Sequence, residues 1–345
     1  MVPATANLVS PFDSLPVAPA APAPPAPVIL PLLPATPNLG RTAVIAVALL
    51  AALPPMPAVH AAGAVEPAPT MPRPPNILFG ISDDQSWRDT GIGGERTVRT
   101  PAFDRIAREG GRFTHAFCAS PSCTPSRSAV RTGRHLGQIG KAGVLSGTLP
   151  QKFPVFPHLL PAAGYHTGFT PKGRGPGEWP AGGLARHPLG REKRLADVTV
   201  PPDWPDTAEV RRDLLDYARE IDWFDAQLAK MIAQLEILGE RDHTLVVVTS
   251  DNGMPLPRAK TIRCDPGVRM PFAVRWPGRI PAGRVVDDFV RHLDFAPTFL
   301  EAAGAAGPAA FTGRSLLPVL TSRAAGRVDP TRDAAHTALE RHTWC

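Results

Sequence analysis

Two runs of strand length constrain this chain more than anything else in it. Residues 75–82 (Pro-Asn-Ile-Leu-Phe-Gly-Ile-Ser) and 243–250 (His-Thr-Leu-Val-Val-Val-Thr-Ser) are apolar along their length, without the alternation of a half-exposed strand. Such runs need cover on both faces, which is the situation of a buried, parallel-type strand in an α/β sheet. Each stops at side chains that carry oxygen: Asp83-Asp84 after the first, Asp251-Asn252-Gly253 after the second. Open α/β sheets bind ligands outside the carboxyl ends of their strands. Adjacent carboxylates stay ionised only beside a counter-charge, so Asp83 and Asp84 suggest a divalent cation, and Asp251 with Asn252 is a second pair of hard donors. Taken singly, an Asp-Asp pair after a strand is usually just a solvated turn, and either pair alone is a weak signal.

Between these runs the periodicity alternates. A short helix is predicted over 100–110, with Phe103, Ile106 and Ala107 on one face and Thr100 as its N-cap, followed by a strand over 112–117. A second amphipathic helix is predicted over 154–164, carrying Phe156, Leu159 and Leu160, and a strand over 164–170. The strongest helical signal spans 207–238, where Val210, Leu214, Tyr217, Ile221, Phe224, Leu228, Met231 and Leu235 recur every three or four residues. Asp206 with Glu209 supplies a capping pattern before it and Gly239 ends it; a further helix starts near 292. This order predicts an α/β fold built on a doubly wound sheet.

The chain has 345 residues, 43% of them hydrophobic, enough for one large α/β domain or two small ones. Its formal charge of +6 comes from 37 scattered Lys and Arg with no basic run interleaved with aromatics, so nucleic acid is not an expected partner. Cys118, Cys123, Cys264 and Cys345 show neither a CxxC pair nor zinc spacing, and Cys118 and Cys264 read as plain buried thiols. Residues 1–73 hold 17 of the 43 prolines in Pro/Ala repeats that cannot build a packed core. Inside that segment Arg41, the apolar run 43–53 and Val59/Ala61 read as a secretory signal (about 41–61) cleaved after Ala61. The run is too short to span a bilayer. Secretion or a periplasmic location is expected, with no membrane span in the mature protein; the other reading is a disordered extension whose apolar run tethers the protein to a membrane.

The chemistry concentrates at Ser120-Pro121-Ser122-Cys123-Thr124-Pro125-Ser126-Arg127. A thiol, a proline suited to the first turn of a helix and a fixed cation fall within one turn, so Cys123 is expected at a helix mouth with amide dipoles and Arg127 facing an anion. A buried structural cysteine before an ordinary helix fits the short motif equally well.

With Thr132-Gly133-Arg134 behind it, the Cys123-Thr124-Pro125-Ser126-Arg127 string resembles the signature of the sulfatase family, over about residues 74–345. The resemblance implies an alkaline phosphatase-like mixed sheet flanked by helices on both faces, with an abbreviated C-terminal subdomain. It implies oxidation of Cys123 by a formylglycine-generating maturation enzyme to 3-oxoalanine (formylglycine), whose hydrate attacks sulfur, and Arg127 holding the nucleophile's second oxygen. Asp83, Asp84, Asp251, Asn252 and the Cys123-derived group would ligate Ca²⁺, or Mg²⁺. Lys172, in a strand-end Pro-Lys-Gly-Arg, and Lys260, in Pro257-Arg258-Ala259-Lys260, would contact sulfate. Residues 267–278 and the turn 312–317 match the family's scaffold. Arg174 stands where the family pattern has histidine, and 175–200 is a shortened loop holding His187 alone where the family delivers a second one. The substrate implied is a sulfated or N-sulfated carbohydrate or small molecule. Two alternatives stay open: a degenerate sulfatase-like protein that binds anion and metal without turnover, and a phosphodiester or phosphonate monoester hydrolase on the same scaffold; a third, a non-enzymatic secreted interaction module, leaves the two acid pairs unexplained.

Overall fold

Strands β1 (Asn76–Ser82), β2 (Gly111–Phe117), β3 (Thr244–Ser250), β4 (Arg269–Arg275) and β5 (Arg284–Arg291) form one sheet in the order β1-β3-β4-β2-β5. The computed structural model describes residues 73–169, 193–202 and 204–340. The Pro/Ala-rich segment with its expected signal, Lys172, Arg174, His187 and Cys345 lie outside the described residues.

β1 runs parallel to β3 and β5 parallel to β2, while β4 is antiparallel to both β3 and β2. Four strands therefore share one direction and β4 alone opposes them. The carboxyl ends of β1, β2, β3 and β5 fall on the same edge of a mixed, open sheet, where an α/β fold gathers its ligand.

Helices α1 (Pro101–Glu109), α2 (Cys123–Thr132), α3 (Phe156–Leu159), α4 (Ala208–Ile237), α5 (Asp265–Val268), α6 (Phe295–Ala302) and α7 (Leu317–Thr321) complete the fold. Alternate residues of β3 show how the faces are covered. Leu245 and Val247 pack with Phe272, Phe295, Phe299 and Leu316, on the face of α3, α6 and α7. Val246 and Val248 pack with Ala102 and Ile106 of α1 and Leu228 and Ile232 of α4 on the other. Every residue of β3 is buried, as its unbroken apolar run requires.

Some local expectations change. The stretch 164–170 is not a strand as far as residue 169: Gly164 turns in the left-handed region (φ 85°), Tyr165 donates its hydroxyl to Pro75 O (2.6 Å), and Phe169 is 86% exposed. Among the described residues no strand pairs with it, so its β-forming residues have nothing there to join. Expected as buried, the Cys264 thiol is only partly so, and it donates to Arg258 O (2.6 Å). The cap of α4 is Thr207, which accepts from Val210 N (3.4 Å), while Asp206 is engaged by Arg211 (2.5 and 2.7 Å). Thr100 precedes α1 but its hydroxyl accepts from Gly91 N (2.8 Å) instead of capping. The first amides of α1 are satisfied from another element: Ala102 N and Phe103 N donate to the two oxygens of buried Asp225 on α4 (2.9 and 2.8 Å). Burial pushes the Asp225 carboxyl up to about 6, and the two amides pull it back.

This tertiary cap sets an expectation. Asp225→Ala strands two buried amides and should cost about 2–3 kcal/mol in urea unfolding, with Asp225→Asn losing roughly half as much. A loss below about 0.5 kcal/mol for the alanine variant would show that the cap is not what fixes α1 on α4.

Candidate active site

The parallel register pairs Ser82 with Ser250, so the two oxygen-rich strand ends emerge side by side. Asp251 N extends the ladder to Ser82 O (3.2 Å). Beyond it the chains turn sharply. Asp84 adopts the left-handed region (φ 55°), which a short polar side chain tolerates, and this aims its amide at Asp251 Oδ1 (3.0 Å). Asn252 N donates to the same oxygen (2.8 Å). Gly253 then passes so close to the next backbone segment that a Cβ would lie 1.7 Å from Pro266 O.

α2 begins at Cys123 itself, with Pro125 as its third residue, where a missing N–H costs nothing. Nine of its ten residues are buried although four of the nine are Ser or Thr. The helix solves this by back-bonding: Ser128 Oγ donates to Thr124 O (2.7 Å) and Thr132 Oγ1 to Ser128 O (2.8 Å). Gly133 closes it in the left-handed region (φ 59°), and its carbonyl accepts from Thr312 N and Gly313 N (2.8 and 3.0 Å).

Arg127 joins the helix to the strand ends. Its Nε donates to Asp251 Oδ2 (2.7 Å) and an Nη to Asp83 Oδ1 (3.4 Å). Burial alone would lower the guanidinium, but Asp251 and Asp83 more than offset it and hold Arg127 above the ordinary arginine value. Lys260 Nζ reaches both oxygens of Asp84 (2.7 Å each). Burial again works against the charge, and Asp84, Cys123 and Asp83 hold the ammonium above its ordinary value. The Lys260 loop is itself strained: Arg258 and the β-branched Thr261 both take positive φ (65° and 69°), pinned by Lys260 N to Met254 O (3.0 Å) and Thr261 N to Pro121 O (2.8 Å). That last bond ties the loop to the approach to Cys123, which is 6% exposed.

A hard cation fits the donors present. Carboxylate oxygens of Asp83, Asp84 and Asp251 lie within 4.8 Å of one another. Burial pushes Asp251 up to about 7 even against Arg127, with Asp83 and Asp84 adding to the rise, so the cluster is short of positive charge. Asn252 sends its amide N–H to Asp84 Oδ1 (2.7 Å) and Gly253 O (2.9 Å), leaving Oδ1 buried with no hydrogen-bond partner. Three carboxylates and one unsatisfied amide oxygen make an oxygen-only set of the kind Ca²⁺ or Mg²⁺ takes.

The structure thus brings together Cys123, Arg127, Lys260, Asp83, Asp84, Asp251 and Asn252; Lys172 lies outside the described residues. Two participants escaped the sequence reading. Ser126 was legible only as part of the signature, yet its Oγ lies 2.6 Å from Asp251 O and 3.1 Å from His292 Nδ1. His292 follows β5 directly, and burial, with Arg127 nearby, pushes its imidazole down to about 3. The available signal was position: a histidine immediately after a strand that runs with β1 and β3. The strand itself went unrecognised.

A family profile described as Sulfatase matches residues 75–181 and 184–305. N-acetylgalactosamine-6-sulfatase of Canis lupus familiaris is 28% identical over 346 residues, covering 72% of this chain and 66% of that protein. An ulvan-active sulfatase of Formosa agariphila is 26% identical, covering 75% and 60%. The chain thus spans less than two thirds of the length of these relatives. The solved structure of Ps i-CgsB with k-i-k-neocarrahexaose has the same fold (TM-score 0.57, 23% identity, 72% of this chain and 76% of that one). So has that of BT4656 with its substrate D-glucosamine-2-N,6-O-disulfate (TM-score 0.54, 21% identity, 75% and 82%). With the profile covering most of the residues that build the sheet and the site, the chain belongs to the sulfatase family.

Proposed function

We propose that this chain hydrolyses sulfate esters or sulfamates of carbohydrates, with residues 74–345 as its catalytic domain and Cys123 as the precursor of its nucleophile. The observation that carries the reading is the convergence of the α2 N-terminus with both oxygen-rich strand ends, joined by Arg127 to Asp251 and Asp83. Converted to formylglycine by a maturation enzyme, the Cys123 position supplies a hydrated aldehyde: a nucleophilic hydroxyl, and a carbonyl to revert to as sulfate leaves. A divalent cation, when bound by Asp83, Asp84, Asp251, Asn252 and that position, supplies Lewis-acid polarisation and neutralises anionic oxygens.

The remaining work belongs to the chain's own side chains. Arg127, fixed at two carboxylates, cannot swing away from the helix mouth and orients the oxygen left on the Cys123 position. Lys260 stays charged despite burial and neutralises sulfate oxygens while charge shifts onto the leaving group. Lys172 is assigned the same role by its sequence context. Arg127 and Asp251 are buried, which strengthens the interaction between them, whereas Asp83 at the rim of the cluster is exposed. The substrate class is supported by the relatives, whose names specify a sulfated amino sugar and ulvan, and by the glycan complexes among the structural neighbours. Export is supported by the 41–61 segment; among the described residues no helix is long and apolar enough to cross a membrane.

Two measurements test this reading. Protein co-expressed with a maturation enzyme should carry the aldehyde in its Cys123 peptide by mass and should hydrolyse an aryl sulfate faster than the matched phosphonate ester. Turnover should fall by at least about a thousandfold in Cys123→Ala and about a hundredfold in Lys260→Ala. Aldehyde-bearing protein that is inert, or that prefers the phosphonate, would overturn the assignment. Separately, Ca²⁺ or Mg²⁺ at a hundred times its dissociation constant should stabilise chelator-treated protein by about 2.7 kcal/mol in thermal unfolding, and should not stabilise Asp251→Ala. An unmoved midpoint in the wild type would remove the cation from the reading.

A further inference from the structure

The Ser126 hydroxyl lies between two groups that together determine where its proton sits. Ser126 Oγ is 2.6 Å from Asp251 O and 3.1 Å from His292 Nδ1, with all three groups buried. A carbonyl has no proton to give, so two oxygens this close require the serine proton to lie between them. Ser126 Oγ can then only accept from the imidazole, which puts a proton on His292 Nδ1. The ring is 0% exposed and its Nε2 has no hydrogen-bond partner. The opposite polarity would leave Asp251 O facing a bare oxygen lone pair.

The imidazole is held from behind. His292 belongs to a tight turn whose Asp294 carboxylate accepts from Arg332 Nη1 (2.9 Å), Arg314 N (2.9 Å) and Arg291 N (3.1 Å). The ring also lies against Phe295, with centroids 5.6 Å apart. Its direction is therefore set by the end of β5 and not by the groups it bonds.

We infer that His292 is a positioning residue: its Nδ1–H, given to Ser126 Oγ, directs the serine proton to Asp251 O and clamps α2 to the end of β3. Cys123 and Arg127 ride on one side of this clamp, Asp251 and Asn252 on the other. The polarity of the clamp stands on hydrogen-bond geometry alone; its effect on cation binding rests on the reading of Asp251 and Asn252 as ligands. Outer partners of this kind typically contribute about 10- to 100-fold to metal affinity by orienting the ligands themselves.

Two experiments separate these parts. In protein labelled with ¹⁵N-histidine, two-bond ¹H–¹⁵N spectra distinguish the tautomers, and His292→Asn identifies the resonance among the ten histidines. The Nδ1–H pattern is expected; an Nε2–H pattern or an imidazolium would overturn the clamp. Calorimetric titration with Ca²⁺ then compares the wild type with His292→Asn, His292→Gln and Ser126→Ala. Asparagine carries an N–H near the position of Nδ1 and should keep affinity within about threefold, whereas glutamine, which reaches towards Nε2, and Ser126→Ala should weaken it about tenfold or more. Equal affinity in all four, or an equal loss with asparagine and glutamine, would overturn the positioning role. Absence of binding in the wild type would overturn the cation reading instead, with the tautomer still deciding the clamp.

Discussion

Asp251 accepts hydrogen bonds from three parts of the chain at once: the turn after β1 through Asp84 N, its own turn through Asn252 N, and α2 through Arg127 Nε. Its backbone carbonyl accepts a fourth, from Ser126. A lone carboxylate in so dry a place would hold its proton, and burial does lift Asp251 to about 7. What keeps the arrangement from being a liability is that each donor is itself tied to a different element. Removing one member of such a buried pair typically costs about 3–5 kcal/mol, because the other is left charged and unpaired.

The sheet delivers these parts to a common place by direction alone. Since β4 is the one strand that runs against the rest, the carboxyl ends of β1, β3, β2 and β5 open on the same edge. Asp83 and Asp84 follow the first, Asp251 and Asn252 the second, the segment leading to Cys123 the third and His292 the fourth. Two of these strands are paired residue for residue up to Ser82 and Ser250, so the acid pairs arrive level. A register slip by one residue would turn both sets away from each other.

Much of this was legible in the amino-acid order, for stateable reasons. β3 is apolar enough that only a central strand suits it, and α4 has too regular a stripe to be anything else; β1 reads the same way but lies at the edge of the sheet with most of its residues half-buried, so its apolar run marks a strand without marking a central one. β5 was not legible, because two of its four inward positions, Arg284 and Asp288, are charged. Arg284 is satisfied by the carbonyls of Leu320, Val319 and Ala324, and Asp288 by the amides of Val328 and Asp329. Those partners lie 35 to 41 residues downstream, where no local pattern can announce them. The same holds for His292, whose role depends on β5, and for Asp225, which caps a helix more than 100 residues earlier.

The strained backbone at Thr261 bears on how such a site can change over generations. A β-branched residue in the left-handed region costs on the order of 1–2 kcal/mol, and glycine or asparagine would relieve it. The relief would also free the loop that carries Lys260, whose direction is held by a bond to the approach to Cys123. Stability and aim therefore pull in opposite directions at this position. A search for a sturdier protein and a search for a faster one would part company here.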